Sequence, residues 1–237
     1  MLLPKAFLFD LDNTVLAFDQ AIERAWVRAC WQAAPRLGRM PPEALREEVR
    51  RLQDRLWEQP EWNLKGRLDP LWAAKEIASA ALERLHLGRL GIAGEIAERH
   101  VEALYGDCLA PLPGALEALE RLQKRGVRLA LVTNGGAEPQ RRKINKFKLD
   151  ALFDAMLIEG ELGYGKPDAR VFRLALERLG ASPGDAWMVG DNLEHDVAPA
   201  QALGIAGVWV DWAGKGLPEG SAVRPDRVVR GLGELVR

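Results

Sequence analysis

The chain has 237 residues, 48% of them hydrophobic and 28% charged, an ordinary globular composition with ample material for one large domain or for a core with a smaller companion. A formal net charge of −1 excludes the basic footprint of a nucleic-acid binder and the polybasic segment of a membrane-surface protein, so any partner must be recognised locally. Cys30 and Cys108 lie far apart and form no CxxC pair, which offers neither a disulfide framework nor a zinc site and leaves two buried thiols in a reducing cytosol as the expectation.

The first predicted element is FLFD, residues 7–10. Lys5 interrupts the apolar start and Asp10 ends it, too little for a signal-peptide core or a membrane span, and a cytoplasmic protein is expected. The run looks built for burial, yet it ends on two carboxylates, Asp10 and Asp12, with one leucine between them. From residue 16 to about 109 no segment resembles a buried strand. Ile22, Trp26 and Cys30 share a helical face, as do Leu45, Val49, Leu52 and Leu56 after Pro41 and Pro42, and Ile77, Leu82 and Leu85 further on. Residues 16–109 are therefore expected to form an all-helical insert, and 1–15 with 110–237 the core.

Beyond Gly114 short apolar runs alternate with helical patterns. GALEALERLQKRG predicts a helix stopped by Gly126, and LALVTN a strand. A helix near 137–148, the strand AMLI and the helix DARVFRLALERLG follow. AWMVGD, a helix over LEHDVAPAQALG and GVWVDW complete the series. Strands of four to six residues separated by helices indicate an α/β fold, a Rossmann-like, doubly wound parallel sheet covered on both faces.

In such a sheet all carboxyl ends lie on one edge, where ligands bind. FLFD ends at Asp10 with Asp12 beyond, LALVTN at Thr133 and Asn134, and AWMVGD at Gly190 and Asp191 with Asp196 five residues on. Four convergent carboxylates cannot all stay ionised uncompensated. Hard oxygen donors suit Mg²⁺ better than zinc. Thr133 adds a hydroxyl, the TNGG turn adds backbone N–H groups suited to an anion, and Lys166 in GYGKPD adds a positive charge. A metal, an anion cradle and a second carboxylate beside the first point to phosphoryl transfer to an aspartate.

DLDNT at 10–14, the apolar run into Thr133, Lys166 in GKPD and GDNLEHD at 190–196 resemble, in order, the four motifs of the haloacid dehalogenase (HAD) superfamily. The insert after the first motif is similar to that family's helical C1 cap, and Leu112, Pro113 and Gly114 are similar to its junction. The resemblance implies that Asp10 is the nucleophile and Asp12 the general acid and base. It implies Mg²⁺ at the Asp10 carboxylate, the Asp12 carbonyl, Asp191 and Asp196, the last directly or through water. Thr133 and the Asn134 N–H would bind phosphoryl oxygens, and Lys166 would bridge nucleophile and phosphate. A phosphatase acting on a small phosphorylated metabolite is implied, under a cap that closes over the sheet edge. A phosphomutase is the nearer alternative, with a 2-haloacid dehalogenase or a non-catalytic phosphate-binding module behind it. Dehalogenases usually carry an aromatic residue where this chain has Asp12.

Several residues keep two readings. Asn192 either caps the next helix or lies behind the metal ligands. The insert's tryptophans are expected to pack its helices, with Trp57 or Trp62 lining a pocket as the alternative. Arg24, Arg28 and Lys65 are expected on a solvated face, the alternative being contact with a second anionic group of the substrate. His86 and His100 are expected on the surface or in the core of the insert.

Overall fold

The computed structural model describes residues 3–236; Met1, Leu2 and Arg237, which the expected core includes, lie outside the described residues. The elements begin with β1 (Ala6–Phe9) and continue with α1 (Phe18–Ala33), α2 (Pro42–Trp57), α3 (Pro60–Leu68), α4 (Pro70–Arg84) and α5 (Ala93–Ala103). Next come α6 (Ala115–Lys124), β2 (Arg128–Thr133), α7 (Ala137–Lys146), β3 (Ala155–Ile158), α8 (Glu159–Leu162) and α9 (Ala169–Leu179). The last are β4 (Ala186–Gly190), α10 (Ala198–Gln201), β5 (Ala206–Val210) and β6 (Arg227–Val229). The chain divides into two compact units, one running Phe18–Ala110 and the other formed by the residues on either side of it.

The flanking residues build a six-stranded sheet in the order β3-β2-β1-β4-β5-β6, every neighbouring pair parallel. This is the expected doubly wound α/β sheet. Its strands are apolar because both faces are covered. Ala6, Leu8, Ala130, Val132, Leu157 and Met188 share one cluster with Val171, Phe172, Leu176 and Leu179 of α9 and Ala200 of α10. Phe7 and Phe9 stack on each other at 5.4 Å, Phe7 meets the edge of Trp187, and Phe9 that of Phe153. Helix α9 starts where the Asp168 side chain accepts the Arg170 N–H and stops at left-handed Gly180.

Two elements depart from expectation. The helix expected over LEHDVAPAQALG is present but opens on a wide helical turn, Leu193–Val197, which passes with helical dihedrals into the short α10. Pro199 has no N–H to give to that turn, and the wider winding accommodates it. Strand β6 was not foreseen, because three residues with Val228 exposed carry no period to recognise.

The unit Phe18–Ala110 is all helical. Trp26, Cys30, Leu45, Val49, Ile77, Leu82 and Ile96 share its core, so the helical faces seen in the sequence are the buried ones. Pro42, Pro60 and Pro70 open α2, α3 and α4, and the Asp69 side chain caps α4 by accepting the Trp72 N–H at 3.0 Å. Trp57, Trp62 and Trp72 pack in series, with centroids 5.0 and 5.5 Å apart. A Cβ at Gly66 would stand 3.0 Å from Trp62, which favours the packing reading of these rings. Arg24 donates to the Cys108 carbonyl at 2.6 Å and Arg28 pairs with Asp107 at 3.3 Å, while the Lys65 ammonium stands 3.9 Å above the Trp72 ring. All three cations have partners within their own unit.

Among the described residues no helix is long and apolar enough to cross a membrane.

Candidate active site

The register of the sheet brings the strand ends together. Phe9 pairs with Leu131 on one side and Val189 on the other, and the Asp10 N–H donates to the Val189 carbonyl at 2.9 Å. Asp10 therefore leaves the sheet level with the ends of β2 and β4, where the strand order reverses, the place at which ligands bind in open parallel sheets. The chain then turns sharply. Asn13 takes a left-handed φ of 61°, a conformation that asparagine tolerates better than most residues, and its N–H donates to the Leu16 carbonyl at 2.7 Å.

Asp10, Asp191 and Asp196 each place a carboxylate oxygen within 4.8 Å of the others. Lys166 joins this group from the loop before α9, its ammonium 2.6 Å from Asp10 Oδ1 and 2.6 Å from Asp196 Oδ1. All but Asp191 are buried. Burial pushes the Asp10 carboxyl up to about 7; Lys166 pulls against this, while Asp196 and Asp12 push further. Burial also opposes charge on Lys166, but Asp10 and Asp196 outweigh it and hold the ammonium above its ordinary range. Three carboxylates thus face one lysine, an all-oxygen donor set with negative charge in excess. That set fits a hard divalent cation such as Mg²⁺.

The backbone around these groups explains the local sequence. The Asn134 side chain accepts the Lys166 N–H at 2.8 Å and donates to the Lys166 carbonyl at 2.7 Å, clamping that loop. A Cβ at Gly165 would overlap Asn134 Oδ1, and one at Gly190 would overlap the Asp196 carboxylate, so both positions need glycine. Asp196 also accepts the Asn192 N–H at 3.0 Å. The Asn192 side chain accepts the N–H groups of Glu194 and His195, which is the expected cap. The Trp209 indole donates to the Asp191 carbonyl at 2.7 Å.

Asp12 and Thr133 form a second group, tied together by α7. Lys143 donates to Asp12 Oδ2 at 2.6 Å. The Gln140 amide nitrogen lies 3.2 Å from the same oxygen, 2.5 Å from Thr133 Oγ1 and 2.8 Å from the Asn134 carbonyl. Burial holds the Lys143 ammonium below its ordinary range, against the pull of Asp12 and Asp10. Asp12 Oδ1 and Thr14 Oγ1 are buried with no hydrogen-bond partner among the described residues. The expected anion cradle at TNGG is partly spoken for, since the Gly135 N–H donates to Glu159 Oε2 at 2.9 Å.

Gln140, Lys143, Glu159 and Trp209 escaped the sequence reading. One signal was available for the first two: with Ile144 they occupy positions i, i+3 and i+4 of α7, the spacing of a buried face, and all three are buried.

The doubly wound sheet, with its carboxylate and lysine cluster at the carboxyl edge, defines an α/β protein whose site lies at the strand ends. The family model for haloacid dehalogenase-like hydrolases matches residues 4–204, and the chain belongs to this family. A phosphoserine phosphatase of Thermus thermophilus is 44% identical over 124 residues, 52% of this chain and 49% of that protein. The chain spans about half the length of such curated relatives. The structure of YfnB from Bacillus subtilis bound to magnesium matches with a TM-score of 0.76 at 22% identity, covering 99% of this chain and 97% of that one, a likeness of fold. A 2-haloacid dehalogenase from Pseudomonas syringae pv. Tomato DC3000 matches with a TM-score of 0.63 at 28% identity, over 98% and 96% of the two chains.

Proposed function

We propose that the protein is a Mg²⁺-dependent phosphatase that hydrolyses a small phosphomonoester through an aspartyl-phosphate. The observation that carries this reading is Asp12. It stands two residues after Asp10, is held through Oδ2, and keeps a buried oxygen without a partner among the described residues. A carboxyl group so placed serves an ester, whose leaving alkoxide needs a proton; carbon–halogen cleavage releases an ion that needs none. The phosphatase named among the sequence relatives supports the same reading.

In the first half-reaction an oxygen of Asp10 attacks phosphorus as the ester P–O bond breaks, and Asp12 gives its proton to the departing oxygen. In the second, Asp12 takes a proton from water, the water oxygen attacks the aspartyl-phosphate, and phosphate leaves with Asp10 restored. Thr133 and the Asn134 N–H bind phosphoryl oxygens, and Lys166 holds Asp10 in place while offsetting phosphate charge. Asp10, Asp191, the Asp12 carbonyl and Asp196, directly or through water, would hold Mg²⁺, which when bound neutralises charge on nucleophile and phosphate.

The test is a panel of phosphomonoesters assayed for phosphate release with Mg²⁺, with excess chelator, and with Asp10→Asn. Release that needs the metal and Asp10 is expected. Phosphate reappearing on a second position of the same sugar would make the protein a mutase. Halide released from a 2-haloacid without added metal, or no turnover across the panel, would overturn the reading.

A further inference from the structure

A lysine buried on the inner face of a helix is costly unless its charge is used. In α7 the position could have been apolar, as its neighbour Ile144 is. Instead Lys143 and Gln140 each bring a nitrogen donor to the same oxygen, Asp12 Oδ2, at 2.6 and 3.2 Å. We propose that Lys143 and Gln140 are positioning residues, which grip Asp12 by Oδ2 and so present Oδ1 to the oxygen that leaves the substrate.

The geometry carries this in three ways. The two residues are one turn apart on α7, so a single rigid element aims both donors. Asp12 Oδ1 is buried and has no hydrogen-bond partner among the described residues, and a buried acceptor left in that state is expensive unless something else supplies the partner. Gln140 also fixes the phosphate-binding side. Its amide donates to Thr133 Oγ1 at 2.5 Å, whereas the contact from Thr133 Oγ1 to the Asn134 carbonyl is long at 3.4 Å. The hydroxyl proton of Thr133 is therefore available to a phosphoryl oxygen. Gln140 thus couples the proton donor to the phosphate binder, and Lys143, donating to Oδ2, keeps the carboxyl group oriented with Oδ1 left to carry the proton.

The inference rests on the phosphatase reading, and its test separates the two. Substituted phenyl phosphates differ in how much their leaving oxygen needs a proton, at nearly constant shape. The value of kcat/KM reports steps up to departure of that oxygen, so it isolates Asp12 as an acid. Lys143→Met is expected to lower kcat/KM for phenyl phosphate about 100-fold and for p-nitrophenyl phosphate less than about 10-fold. Inhibition by inorganic phosphate should stay within about 2-fold of wild type, because the phosphate-binding groups are untouched. Lys143→Arg should restore most of the lost selectivity. Gln140→Met should show the same bias to a lesser degree, with phosphate inhibition weakened as well because Thr133 loses its hold, and it carries the test if Lys143→Met does not fold. Equal loss on both esters in either variant, or phosphate inhibition weakened in parallel with turnover in Lys143→Met, overturns the positioning role. Wild-type protein that releases no phosphate from the aryl esters or from any other ester of the panel overturns the phosphatase reading on which the inference rests.

Discussion

Both units of the chain bury ionisable side chains, but they do so to opposite effect. In the sheet unit the buried charges gather where β1, β2 and β4 end, with Asp10, Asp196, Lys143 and Lys166 facing groups of opposite sign. In the helical unit His100 lies flat against Trp26, ring centroids 3.9 Å apart, and Arg46 pairs with Glu23 at the edge of the same core. Burial pushes the His100 imidazole down to about 3, and Arg46 adds to the push. A neutral ring inside a helical core serves packing, whereas the proposed function draws on the carboxylate that lies beside a lysine. Burial alone therefore does not single out a functional group; burial among convergent charges makes it a candidate.

The contrast is broken most severely at Asp10. Asp10→Asn should lower phosphate release about 1,000-fold or more, because no other side chain replaces the nucleophile. His100→Gln should leave kcat within about 2-fold, since a packing residue has no step to perform. Equal losses in the two variants would remove the distinction between the units.

The same groups give the units opposite responses to pH. Asp10 titrates near 7 in the folded protein against 3.8 ordinarily, so the folded state keeps a proton that the unfolded chain loses. The stability this lends is complete below about pH 4 and is lost as pH rises through 7. In metal-free protein, melting followed with chelator present should show the sheet unit losing stability over that window. Asp10→Asn should abolish the loss, raising the melting temperature at pH 8 by several degrees.

His100 has the opposite sign. Its folded value of about 3 lies below the ordinary 6.5, so the unfolded chain takes up a proton that the folded one refuses. Stability is complete above about pH 6.5 and falls as pH drops toward 3. Hydrogen exchange resolved by segment should show α1 and α5 opening first in acid, and His100→Gln should reduce that opening.

The smallest effect is expected at the cap of α4. Asp69→Ala removes the acceptor for the Trp72 N–H, which should cost about 1 kcal/mol and lower the melting temperature by about 2–4 °C. Turnover should be unchanged, so a loss of activity there would show that the helical unit does more than pack.

Much of the sheet and several candidate residues were legible in the sequence for one physical reason. A parallel sheet puts every carboxyl end on one edge, so identifying FLFD, LALVTN and AWMVGD as strands was enough to group Asp10, Thr133, Asn134 and Asp191 before any coordinate was known. Helix α2 and its buried face were legible because the helical spacing of Leu45, Val49 and Leu52 needs no tertiary information. Strand β6 was too short to carry a pattern, and the wide turn that opens the helix before Pro199 has no signature in periodicity.

What only the tertiary structure decided is which polar groups are used and by what. Gln140 and Lys143 have the composition of a solvated helix face, and nothing local distinguishes a lysine in water from one 2.6 Å from Asp12. The TNGG turn looked open to an anion, yet Glu159, 24 residues on, takes the Gly135 N–H. Trp209 reaches the Asp191 carbonyl from the neighbouring strand. Strand ends are set by hydrogen-bonded repeats that a short stretch of sequence encodes. Side-chain partners come from segments distant in the chain, and they are chosen only when the packed sheet and helices bring those segments within hydrogen-bond reach.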